Sequence, residues 1–126
     1  MLKSKILFTS LLLSLSMNLN AGNMGSLLFH GNCITCHFET KDDSAPSIMS
    51  IRENYLRAFP EKKDFVDYMS KWVLTPNAEG SLMLNAIEKY ELMPLLGYEE
   101  STLRIIAEYI YDTDFTKEHE GHKGRE

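Results

Sequence analysis

Cys33-Ile34-Thr35-Cys36-His37 is the stretch on which the reading of this 126-residue chain turns. A C-x-x-C-H run reads as an attachment site for a c-type haem. Two cysteine sulfurs one helical turn apart reach the two vinyl groups on one porphyrin edge and form thioethers. The histidine directly after the second cysteine then lies under the iron, where an imidazole nitrogen can coordinate it. Cys33 and Cys36 are therefore the expected thioether residues and His37 the expected proximal iron ligand, for one covalently attached haem c per chain.

The N-terminus implies the compartment this chemistry needs. Lys3 and Lys5 form a positive start, Ile6 to Leu15 a short apolar run, and Leu19-Asn20-Ala21 a small-residue cut, which together read as a secretory signal over 1–21. The run falls short of the about 20 apolar residues a membrane-spanning helix needs, so no span is expected after cleavage. The expected location is the periplasm. Covalent haem of this kind is joined after export, so motif and signal agree.

The remainder suits one small domain, 22–115, followed by a polar tail, 116–126, expected to be disordered. The formal net charge of −5 becomes −7 once Lys3 and Lys5 leave with the signal. Such an acidic chain is not expected to bind nucleic acid or an anionic membrane surface, and steering would favour redox proteins with a basic docking face. A monomer is expected.

Both cysteines of the chain lie in the motif, which narrows the alternatives. A thioredoxin-like pair wants a βαβ context, whereas the flanks look helical. A zinc site needs two further ligands, and the histidines available are His30, His37, His119 and His122, with His37 crowded beside Cys36. A disulfide across two intervening residues would close a tiny loop and stabilise little. The two tail histidines read as solvated, and His30 as exposed on the first helix.

Hydrophobic spacing makes the class all-α. Leu27, Leu28, Gly31 and Ile34 predict a first helix carrying the haem motif at its C-terminal end. Gly25 is small enough there for another backbone to cross closely. Phe65, Tyr68, Met69, Trp72 and Val73 predict a helix over 64–74, and Leu82 to Ile87 a shorter one over 81–90. Leu103, Ile106, Ala107 and Ile110 form one face of a last helix over 99–111, with Glu99 and Glu100 favouring its first turn by charge–dipole interaction.

An electron-transfer haem usually has both axial positions filled, commonly by histidine and methionine. Five methionines follow the expected cut: Met24, Met49, Met69, Met83 and Met93. Met69 and Met83 sit on helical faces, where methionine usually packs, and Met24 is too near His37 in sequence. Met93 lies between a helix end at Tyr90-Glu91-Leu92 and Pro94, in a segment helix cannot continue through. It is the favoured distal candidate, with Met83 and Met49 behind it.

The ordered set Gly25-x-x-Leu28-Phe29-x-x-x-Cys33-x-x-Cys36-His37, Ala45-Pro46, Tyr90-x-Leu92-Met93-Pro94, and a last helix with Leu103 and Tyr109 resembles the class I cytochrome c family in its small bacterial monohaem form. The resemblance covers Gly25 to about Phe115 and implies three to five helices wrapped around one haem. It implies His37 as proximal and Met93 as distal iron ligand, with the Pro46 carbonyl accepting a hydrogen bond from the other ring nitrogen of His37. It also implies that Gly25 and Phe29 meet the Leu103–Tyr109 face where the first and last helices cross. Phe38 stands where the family commonly has glycine, and 39–44 is unusually acidic, changes that bear on the partner surface. Trp72 and Tyr55 are candidates to hydrogen-bond a haem propionate.

The function this implies is a periplasmic single-electron carrier, not an enzyme, because no base–nucleophile pair or second metal site stands out. The alternatives are a haem subunit of a larger periplasmic oxidoreductase, or a haem enzyme or gas sensor with an open sixth site.

Overall fold

Prolines end two of the helices in this chain. Phe59 precedes Pro60 and Thr75 precedes Pro76, and a residue before proline is pushed out of the helical region. In the computed structural model, which describes residues 21–117, Phe59 (φ −134°, ψ 82°) and Thr75 (φ −141°, ψ 78°) take nearly the same non-helical conformation. Five helices are formed: α1 (Ala21–Asn32), α2 (Ile48–Ala58), α3 (Lys62–Leu74), α4 (Leu84–Tyr90) and α5 (Glu100–Asp112). No strand occurs among the described residues, so the chain is all-α. No helix among them is long and apolar enough to cross a membrane. Residues 1–20 of the expected export signal lie outside the described residues, as do 118–126 of the expected tail with His119 and His122. Thr116 and Lys117, the first residues of that tail, close a turn on Asp114.

α5 is the helix that α1, α2 and α3 gather around. Leu103, Ile106, Ala107 and Ile110, spaced as one helical face, are all buried. α1 and α3 pack on α5, and α2 packs on both α3 and α5. The α1–α5 crossing is close because Gly25 has no side chain. A Cβ there would lie 2.6 Å from Tyr109 Cβ and 3.3 Å from the Ile105 carbonyl oxygen. Next to it Phe29, fully buried, stacks its ring 5.5 Å from Tyr109 and 5.9 Å from Phe115. Ion pairs tie α3 to α5 from outside: Arg104 with Asp67 at 2.7 Å and Lys62 with Asp112 at 2.7 Å. Lys63 and Arg104 together hold the Asp67 carboxyl down to about 2.

α2 is not among the expected helices. Ser47 caps it, its hydroxyl accepting the Ser50 N–H, and Ile48, Ile51 and Tyr55 follow at helical spacing. α2 also completes α5. The last carbonyls of a helix lack internal partners, and α5 has no basic residue in its last turn. Arg52 of α2 supplies one, donating to the carbonyls of Ile110 (2.9 Å) and Tyr111 (2.9 Å).

α4 differs from the rest. It begins at Leu84 rather than Ser81, contains no buried residue, and packs against no other helix among the described residues.

Gly25 and Gly31 predict opposite outcomes on one helix. Gly25→Ala forces a backbone-borne methyl onto Tyr109 and is expected to lose about 1–3 kcal/mol. Gly31→Ala meets nothing within 4 Å and is expected to gain about 0.5–1 kcal/mol through helix propensity. Thermal unfolding of the two variants checks this, and equal shifts would contradict the close crossing.

Candidate cofactor site

α1 ends at Asn32, directly before the haem motif. Asn32 turns its side-chain amide back onto the Leu28 carbonyl at 2.7 Å, and Cys33 N–H donates to Phe29 O at 2.8 Å. That last bond has helical spacing, so the motif follows directly on the last turn of α1 as a run of turns. Within it, Cys33 O accepts from the N–H groups of Cys36 (3.2 Å) and His37 (2.9 Å). This tight winding brings Cys33, Cys36 and His37 to the wall of one cleft.

A short loop then returns to that wall. Two backbone bonds zip its ends together, Ile48 N–H to Phe38 O at 2.9 Å and Met49 N–H to Glu39 O at 3.0 Å. The Ser47 N–H donates to Asp42 Oδ1 at 2.6 Å, which lowers the Asp42 carboxyl pKa below its ordinary 3.8. So held, the Pro46 carbonyl oxygen sits 2.7 Å from His37 Nδ1. A carbonyl only accepts, so Nδ1 carries the ring proton and Nε2 keeps its lone pair.

His30 is half-buried, not exposed as expected. Its Nδ1 lies 2.7 Å from Ser26 O and its Nε2 3.1 Å from Glu39 Oε1, which links α1 to the start of the loop.

The cleft is also lined by Met83, Ala86, Ile87 and Tyr90 on and before α4, and by Met93 and Pro94 after it. Met69, Tyr55, Leu103 and Ile106 contribute from α3, α2 and α5. The cleft has a volume of about 250 Å³. Met93 and Met83 both line it, and Met49 packs on the core instead.

Two further expectations separate. Trp72 Nε1 is committed to the Asn77 carbonyl at 3.0 Å. Tyr55 is 5 % exposed and lines the cleft, and its hydroxyl has no hydrogen-bond partner among the described residues. Burial pushes its phenol pKa well up.

Burial, with a smaller contribution from Cys36, also pushes the Cys33 thiol up to about 11. A redox-active thiol has a depressed pKa, and the shift at Cys33 runs the other way. Among the described residues no group of three or more His, Cys, Asp or Glu side chains gathers as a metal site. No protein-family model matches the chain, and searches of curated proteins and of solved structures return no match.

The Asp42 tie predicts a pH dependence. The folded carboxyl has the lower pKa, so its contribution is present above the unfolded value of 3.8 and is lost as pH falls through the lowered folded value. Acid unfolding monitored by circular dichroism should start at higher pH in Asp42→Asn. Identical acid limbs would show that the Ser47 contact adds nothing.

Proposed function

We propose that this chain is a single-electron carrier of the class I cytochrome c type, exported to the periplasm, with one haem c in the cleft. The strongest support comes from α4: it packs on no other helix, yet its inward apolar residues share a cleft with Cys33, Cys36 and His37. A helix of seven residues is too short to stand alone in water. It needs a packing surface, and a flat apolar group bound in the cleft supplies one.

The donor set suits an iron porphyrin. Bound there, that group supplies one-electron chemistry. Cys33 and Cys36 would hold it by thioethers, and His37 would offer Nε2 while Pro46 keeps the ring from turning and raises its basicity. Met93 would complete the coordination through its thioether sulfur, a weak donor that favours the reduced iron. Tyr55, its hydroxyl without a hydrogen-bond partner among the described residues, would hydrogen-bond a propionate. The apolar walls would limit water access to such a group, which would keep reorganisation small and favour a high potential.

Leu84 and Leu95 flank Met93 in sequence, are exposed and do not line the cleft. On an acidic chain they favour a protein partner with an apolar contact and a basic surround. They also leave room for the second reading, a haem subunit of a larger oxidoreductase. Size exclusion of native extract separates the two, because a free carrier elutes alone at low mass.

Met93→Ala in the haem-loaded protein is expected to abolish the near-infrared methionine–iron band and lower the midpoint potential. If both are unchanged, Met83 becomes the better ligand. The reduced protein should keep its low-spin spectrum under carbon monoxide. A ready adduct would instead indicate an open sixth site and overturn the carrier.

A further inference from the structure

Glu91 is the one non-glycine residue with positive φ among those described, at φ 69° and ψ 172°. That combination is a region of backbone space essentially reserved for glycine, because a Cβ there crowds the neighbouring peptide. Such torsions cost about 1–3 kcal/mol and persist only where surrounding contacts impose them. Glycine would remove the cost, yet a glutamate occupies the position.

The segment beyond Glu91 has few attachments of its own. Glu91 N–H closes α4 by donating to Ile87 O at 2.9 Å. From Leu92 through Tyr98 no hydrogen bond or ion pair forms among the described residues. A second positive-φ residue, Gly97 at 73°, lies near the far end. Between the two, Pro94 confines Met93 to extended backbone and stiffens the centre. Leu92 and Leu96 line the cleft beside half-buried Met93, and Leu95 is the leucine of this segment that stays outside it. The segment is a stiff strap with a turning point near each end, attached by side chains that enter the cleft.

We propose that Glu91 is a strained hinge that loads this strap, so that Met93 is held in the cleft against a backbone restoring force and is a releasable ligand. Glu91 is thus a positioning residue acting through Met93. When Met93 leaves in the oxidised protein, the state in which a thioether is held less strongly, Glu91 relaxes to negative φ and the strap swings out, which gives a small external ligand access to the cleft. This rests on the haem reading and on Met93 as its distal ligand. It goes beyond them by making the rate of opening a property of residue 91.

Two substitutions in the haem-loaded protein separate strain from charge. Glu91→Gly removes the Cβ and the strain, and Glu91→Ala removes the carboxylate but keeps the Cβ. The probe is imidazole added to the oxidised protein, read as the limiting binding rate at saturating concentration, where strap opening controls the rate. Glu91→Gly is expected to slow that rate about fivefold, since relief of strain stabilises the seated strap, part of the gain being offset by glycine's freedom when open. Its melting temperature should rise by about 4 °C or more, and Glu91→Ala should stay within about twofold of the parent rate with unchanged melting. Equal slowing in both variants would assign the effect to charge and overturn the hinge. An unchanged rate with unchanged or lower melting in Glu91→Gly would overturn it as well. If Met93→Ala leaves the near-infrared band in place, the ligand assignment fails, and the melting difference between the two Glu91 variants alone decides the hinge.

Discussion

The contact between His37 Nδ1 and the Pro46 carbonyl oxygen, 2.7 Å, holds the site together. It settles where the ring proton lies, and so which nitrogen is left as a donor. It also joins the turn after α1 to the residue before the α2 cap. The zipped loop, the Asp42–Ser47 bond and the capped start of α2 all serve to return that carbonyl to one place. α2 is in turn fastened to the end of α5 by Arg52, and α5 to α1 by the Gly25 crossing. The wall that carries the cysteines and the histidine is therefore a closed circuit of packed elements.

The other side of the cleft is built differently. α4 is short, has no helix to pack on, and leads into a strap without hydrogen bonds among the described residues. Local stability tracks buried contacts and hydrogen bonds, so the two sides differ in rigidity by construction. This asymmetry fits a carrier whose proximal ligand is fixed and whose distal ligand is placed by a more yielding segment. It also puts exposed Leu84 and Leu95 on the yielding side, where a docking partner would bear directly on the strap.

Much of this is legible in the sequence, for physical reasons that differ from element to element. C-x-x-C-H is legible because its chemistry is local: the spacing alone brings three donors together. α3 and α5 are legible because buried faces repeat every three to four residues. α2 is not, because only Ile48, Ile51 and Tyr55 mark its face amid Arg52, Glu53 and Asn54. Its clearest signal is the cap residue Ser47 after Pro46. The end of α1 before Cys33 and the part-burial of His30 depend on Asn32 and on Glu39 across the loop, and no periodicity reports such contacts. The torsions of Glu91 cannot be read from sequence at all. Nothing in a glutamate announces a glycine conformation, which only tertiary packing can impose.

Covalent attachment of a haem to Cys33 and Cys36 underlies every functional role assigned to this cleft. Extraction of the exported, fully denatured protein with acidified acetone tests that attachment without intermediary. One haem per chain should stay with the polypeptide, and Cys33→Ser with Cys36→Ser should release it. A wild-type chain that carries no haem, or gives it up to the solvent, would contradict the covalent site and the carrier built on it.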